Sequence, residues 1–105
     1  GDDLRRPLDW CRTESLVILM SGSLCSTAVA VDHLGRTELA ERMVRQVTPI
    51  SVRPVFAQLY TGRLSDPLLG VLAGDEPPDE SLDDVIADVF ALADELDQRD
   101  VEGVA

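Results

Sequence analysis

The chain of 105 residues contains no lysine and few aromatic residues. All nine basic residues are arginines, and the aromatic side chains are two Phe, one Tyr and one Trp. A GC-rich genome, whose codons favour arginine, accounts for the missing lysine better than a salt-adapted proteome does. With so few aromatic rings, we expect one domain with a core of Leu, Val, Ile and Ala.

Cysteine and the known catalytic motifs are equally scarce. Cys11 and Cys25 are too few for a disulfide framework. The first residues do not resemble a secretory signal, so we expect a cytoplasmic protein. The start at Gly1 suggests a processed or partial chain. The sequence shows no glycine-rich phosphate loop, nucleophile elbow, paired-histidine helix or EF-hand spacing. We therefore predict no cofactor and no metal site.

The negative charge is confined to the C-terminal part of the chain. Residues 1–65 carry eight Arg and seven acidic residues, a net charge of +1. Residues 66–105 carry thirteen acidic residues and only Arg99, a net charge of −12, which gives −11 for the whole chain. A salt-adapted protein would spread its acid over the whole surface. The asymmetry instead predicts that the acidic part pairs with the body or steers a basic partner.

Helix start and stop signals predict one all-α domain, compact and built of four or five helices, with a central apolar helix and a C-terminal acidic amphipathic helix. Gly35 suits a helix C-terminus, Thr37 an N-cap, and Pro54 the start of a short helix or a break in an edge strand. The predicted segments are a polar arm (1–7), a body (8–73) whose last helix (65–73) has Ser65 as its cap, a turn or linker (74–80) and the acidic helix (81–98).

Residues 15–31 carry no charge, and three structures compete for them. A membrane-spanning helix requires about 20 strongly apolar residues, which this segment does not reach. A β-hairpin suits its β-branched residues and gives an α+β domain as the alternative fold. We favour a buried helix in which Gly22, Ser26 and Ala30 share one face, because they recur every four residues.

Small residues on one helix face let a second helix approach closely. The face formed by Gly22, Ser26 and Ala30 therefore predicts either packing within the monomer or the seam of a homodimer. A short chain has few elements with which to cover a helix that is apolar all round. For this reason we expect a homodimer.

The acidic helix has the clearest pattern in the chain. Its apolar residues follow the i, i+3, i+4, i+7 spacing of an amphipathic helix, and acidic residues occupy the other faces. This apolar face either completes the core or docks on a protein partner, which we expect to be basic. We predict a non-enzymatic interaction or regulatory domain that self-associates and has no membrane span. The residues expected to make these contacts are Leu82, Val85, Ile86, Val89 and Leu96.

Two alternative functions remain. One is a DNA-binding regulator of helix-turn-helix type, although the acidic tail would repel nucleic acid. Its phosphate contacts would come from Arg42, Arg45, Arg53 and Arg63. The other is a thiol-dependent enzyme or redox protein, although three helical turns, about 16 Å, separate its acid from its thiol along one helix. Its residues would be Glu14, Cys25 and His33.

Overall fold

Helices account for nearly all regular structure in the chain. The computed structural model describes the backbone of residues 2–104 and the side chains of residues 18–99. The elements are α1 (Asp2–His33), α2 (Thr37–Arg45), a 3-10 turn (Ile50–Val52), α3 (Arg53–Leu59), α4 (Asp66–Ala73) and α5 (Leu82–Val104). Within residues 2–104 no strand forms, apart from an isolated bridge between Thr61 and Leu64. The predicted all-α class is confirmed.

Helix α1 contains the whole uncharged segment, so the hairpin predicted as the alternative for residues 15–31 is wrong. Ser21, Cys25 and Ala28 are buried at helical spacing, and this buried face favours a helix over alternating strands. The helix begins at Asp2, within the segment 1–7 that the sequence indicated as a polar arm. It ends in a Schellman motif, in which the amides of Gly35 and Arg36 donate to the carbonyls of Asp32 and Val31. Gly35 has φ of 83° in this turn, a backbone conformation that glycine adopts readily because it has no Cβ atom.

The two polar residues predicted as N-caps do not cap their helices through their side chains. Thr37 is the first residue of α2, and its hydroxyl donates to Asp32 at 2.8 Å. The Schellman turn brings Asp32 close, so this bond replaces the cap. Ser65 does stand at the N-cap of α4, but without a cap hydrogen bond. Pro54 lies in the first turn of α3, so the short helix is confirmed and the edge strand is wrong.

Helix α2 lies at the centre of the packing, because it contacts α1, α4 and α5. Its Ala40 and Val44 are fully buried, as are Leu68 and Leu72 on α4. Helix α3 packs on α4 and touches α1. Among the described residues, α1 and α5 both pack on α2 but not on each other. This arrangement leaves a gap between α1 and α5.

The acidic helix folds back on the body. Val85 is fully buried and Leu92 nearly so, and the Ser81 hydroxyl caps α5 by accepting the Asp84 amide at 3.2 Å. Arg42 donates to the Glu80 carboxylate at 2.7 and 2.8 Å and to Asp88 at 2.6 Å. Apolar burial and ion pairs together therefore hold α5 and the residues just before it against α2.

Candidate interaction surface

Near residue 18, helix α1 keeps three consecutive large apolar side chains exposed. Ile18, Leu19 and Met20 are 58%, 64% and 48% exposed. Beyond them, the exposed side chains of the helix up to Ala30 are all small and uncharged. We define the α1 face as Ile18, Leu19, Gly22, Ser23, Ser26 and Ala30. A contiguous exposed apolar surface on a folded domain commonly marks an interaction site.

A groove of about 400 Å³ separates α1 from α5. Met20 and Leu24 form its α1 wall, and Ile86 and Phe90 form its α5 wall. Met43 of α2 lies beneath them and is almost fully buried. Phe90 stands at the rim, 66% exposed. We call this the α1–α5 groove; its lining is almost entirely apolar.

A second groove, of about 500 Å³, runs along the other side of the α1 face, toward α3. The Tyr60 hydroxyl donates to the Gly22 carbonyl at 3.2 Å and lies 2.7 Å from the Ser26 hydroxyl. A methyl group added at Gly22 would meet no other atom within 4 Å. Of the predicted packing residues, Gly22 is half-buried, and Ser26 and Ala30 are exposed. The close approach that small residues allow is therefore not used at Gly22 within this chain.

The predicted contact residues of α5 divide between the core and the groove. Val85 is fully buried, whereas Leu82, Ile86, Val89 and Leu96 are half-buried. All except Leu96 line the α1–α5 groove. The face predicted for docking thus completes the core and still leaves apolar surface accessible.

The acidic side chains of α5 and its linker divide in a similar way. Glu80 and Asp88 pair with Arg42, and Glu95 pairs with Arg36 at 3.4 Å. The hydrogen bond from Arg42 lowers the pKa of Glu80 below its ordinary value. These carboxylates all face α2, so arginines of the body neutralise part of the negative charge of α5 and its linker.

The four arginines of the DNA-binding alternative do not form one accessible surface. Arg53 is fully buried, and its partners among the described residues are all backbone carbonyls. Arg42 is held by its two carboxylates, and Arg45 is half-buried. Arg63 is exposed, 5.7 Å above the Tyr60 ring. Phosphate binding requires exposed cations that point the same way, and this arrangement does not favour it.

The thiol alternative depends on Cys25, which is fully buried in the core. Burial raises the pKa of its thiol to about 11, so the thiol is protonated at neutral pH. A thiol needs its anion to act as a nucleophile, so this environment does not suit catalysis. His33 is exposed at the end of α1, and the side chains of Cys11 and Glu14 lie outside the described residues.

Sequence reasoning missed Phe90 and Met20 as surface candidates, and it missed Tyr60 as the buried partner of Gly22 and Ser26. Phe90 lies off the apolar stripe that Val85 and Leu92 define, and this offset is the signal that could have identified it. No comparable local signal marks Met20 and Tyr60, because their roles depend on how far α5 and α3 stand from α1.

None of the helices described here combines the length and apolarity that a membrane span requires. Comparison with known proteins gave no matching family model, no matching curated relative and no matching solved structure.

Proposed function

We propose that this chain is a non-enzymatic protein–protein interaction domain that self-associates through the α1 face. The observation that carries the proposal is the exposure of Ile18 and Leu19 within a helix segment that has no charge. Side chains of this size gain most from being covered by a partner.

Charge favours this face as the contact between two copies. Each chain has a net charge of −11, so two copies repel each other wherever their acidic surfaces meet. Residues 15–31 bear no charge and offer a contact without that repulsion. Screening by salt should therefore strengthen self-association.

The shape of the α1 face, with its large and small side chains, also favours close packing with an identical helix. Gly22 has open space above it, and grooves lie on both sides of Leu19 and Ser23. Large side chains at one end of the face and small ones at the other let two helices cross with ridges in grooves. The face thus supplies both the ridge and the groove that a symmetric dimer needs.

The test is the molar mass of the chain in solution, measured by light scattering over a range of protein and salt concentrations. We expect the mass of two chains, with dimer formation increasing as NaCl is added. Ile18→Asp should give the monomer mass, because it places two charges in the seam. Gly22→Leu should also weaken the dimer, by about tenfold or more, because it fills the space between the helices.

Val55→Asp is the matched control, because Val55 on α3 is 56% exposed but lines neither groove. It should leave the dimer unchanged, and circular dichroism should show that all three variants stay helical. A monomer mass at every concentration would refute the proposal. Equal dissociation by Val55→Asp and Ile18→Asp would refute the choice of surface.

A further inference from the structure

The acidic residues on the outer side of α5 form a stripe with Phe90. Asp83 lies seven residues before Phe90, and Asp94 and Asp97 lie four and seven residues after it, so all share its helix face. All three carboxylates are exposed. Among side chains 18–99, none of them takes part in an ion pair, in contrast to the carboxylates that face α2.

This stripe borders the α1–α5 groove on one side only. The opposite wall belongs to the uncharged part of α1, and no basic residue among side chains 18–99 lines the groove. The groove is thus an apolar channel with acidic side chains along its α5 edge and none along its α1 wall. A surface of this kind matches a helix with an apolar face and positive charge along one border.

We propose that the α1–α5 groove binds an amphipathic helix of a partner protein, with its apolar face in the groove. The lysines or arginines along one edge of that helix pair with Asp83, Asp94 and Asp97. Leu82 to Phe90 span about 12 Å, which matches two turns of inserted side chains. The acidic stripe spans about 21 Å from Asp83 to Asp97, which corresponds to a helix of about 14 residues.

The binding site differs from the self-association surface, although both include Leu19 and Ser23 at their border. The two contacts also respond oppositely to salt. Screening weakens the attraction between the acidic stripe and a basic helix, whereas it strengthens contact between two acidic copies. Either proposal can therefore fail while the other holds.

The probe is a fluorescein-labelled peptide of about 14 Leu and Lys residues, with Leu at helical i, i+3, i+4, i+7 spacing. Fluorescence anisotropy with the full chain should show saturable binding that weakens as NaCl is added. A peptide with Glu in place of Lys, and one with the same composition scrambled, should not bind. If the Leu–Lys peptide does not saturate, or the scrambled peptide binds equally well, the proposal is wrong.

Two pairs of variants locate the site. Phe90→Ser should weaken peptide binding by about tenfold or more, since exposed aromatic anchors dominate such contacts. Leu59→Ser is its control, because Leu59 is similarly exposed at 63% but lies on α3 outside the groove. It should leave binding unchanged, and the two variants having equal affinity would overturn the assignment.

The second pair separates the acidic stripe from net charge. Replacing Asp83, Asp94 and Asp97 together by Asn should weaken binding by about tenfold, as three exposed ion pairs are lost. The control neutralises three acids that do not line the groove: Glu38→Gln, Asp66→Asn and Asp75→Asn. Both triple variants carry the same net charge, so an equal loss of binding would overturn the proposal. A loss of dimer mass in Phe90→Ser would also overturn it, because a second copy would then occupy the groove.

Discussion

Arg53 joins the end of α2 to the linker that leads into α5. Its guanidinium donates to the carbonyls of Arg45 at 2.5 Å, Val47 at 3.0 Å and Glu76 at 2.7 Å, with a longer contact to Gly74 at 3.4 Å. No carboxylate among side chains 18–99 forms an ion pair with it. Burial lowers its pKa, but an arginine remains charged at neutral pH. Within the described part of the chain, carbonyl oxygens therefore hold this buried charge without a carboxylate.

Replacing Arg53 by Met should destabilise the domain strongly. Gly74 and Glu76 are exposed, so water can satisfy their carbonyls once the guanidinium is gone. Arg45 and Val47 are half-buried and buried, so their carbonyls would lose a partner that water does not easily replace. At about 1–3 kcal/mol for each unsatisfied carbonyl, the expected loss is about 2–6 kcal/mol. A small domain has only about 5–15 kcal/mol of stability in total.

Urea unfolding followed by far-UV circular dichroism measures this loss. Arg63→Met is the control, because Arg63 is exposed and contacts the Tyr60 ring, so we expect a change below about 1 kcal/mol. Arg53→Lys should fall between Met and the parent chain, since an ammonium cannot span the same carbonyls as a guanidinium fork. If Arg53→Met does not fold, the smaller loss of unfolding free energy in Arg53→Lys can still be measured. Equal unfolding midpoints for Arg53→Met and Arg63→Met would refute the reasoning.

Two further predictions concern buried and paired titratable groups. In a Cys11→Ser background, iodoacetamide should label Cys25 slowly in the native chain and rapidly in urea; rapid native labelling would contradict its burial. Because folding raises the pKa of Cys25 from 9.0 to about 11, its contribution to stability is complete below pH 9 and is lost as the pH rises toward 11. Arg42→Gln should increase amide hydrogen exchange in α5 more than Arg63→Gln does, and less so at high salt. Arg42 lowers the pKa of Glu80 from 4.5, so the effect of Arg42→Gln on exchange should be present above pH 4.5 and fade as the pH falls through the pKa of Glu80 in the folded chain. An effect of this substitution that does not change with pH would count against the ion pair.

Local signals were sufficient to predict the helices that have clear boundaries and a clear apolar stripe. The acidic helix was predicted from its spacing, and the end of α1 from Gly35, whose positive φ is a requirement of one short turn. Such features depend on residues within one or two turns of each other, which makes them readable without knowledge of the tertiary contacts.

Features that depend on contacts between distant segments could not be predicted in this way. Arg53 looked like a surface charge, because its carbonyl partners at Gly74 and Glu76 lie more than twenty residues along the chain. The cap expected at Thr37 was wrong for a local reason, because the Schellman turn at Gly35 brings Asp32, five residues earlier in the chain, within reach of the Thr37 hydroxyl. The α1–α5 groove has no sequence signature of its own, since it arises from α5 packing on α2 at a distance from α1.

The pairing of tail and body accounts for only part of the acidic charge. Of the acidic residues between 66 and 99, Glu80, Asp88 and Glu95 form ion pairs with arginines of the body. The remaining acid keeps the surface negative, so contact between copies is least opposed at the uncharged α1 face. The same acid beside the α1–α5 groove attracts a basic helix. Because salt screens both interactions, one titration with NaCl should strengthen the first contact and weaken the second, and a common direction of change would show that one of them is misassigned.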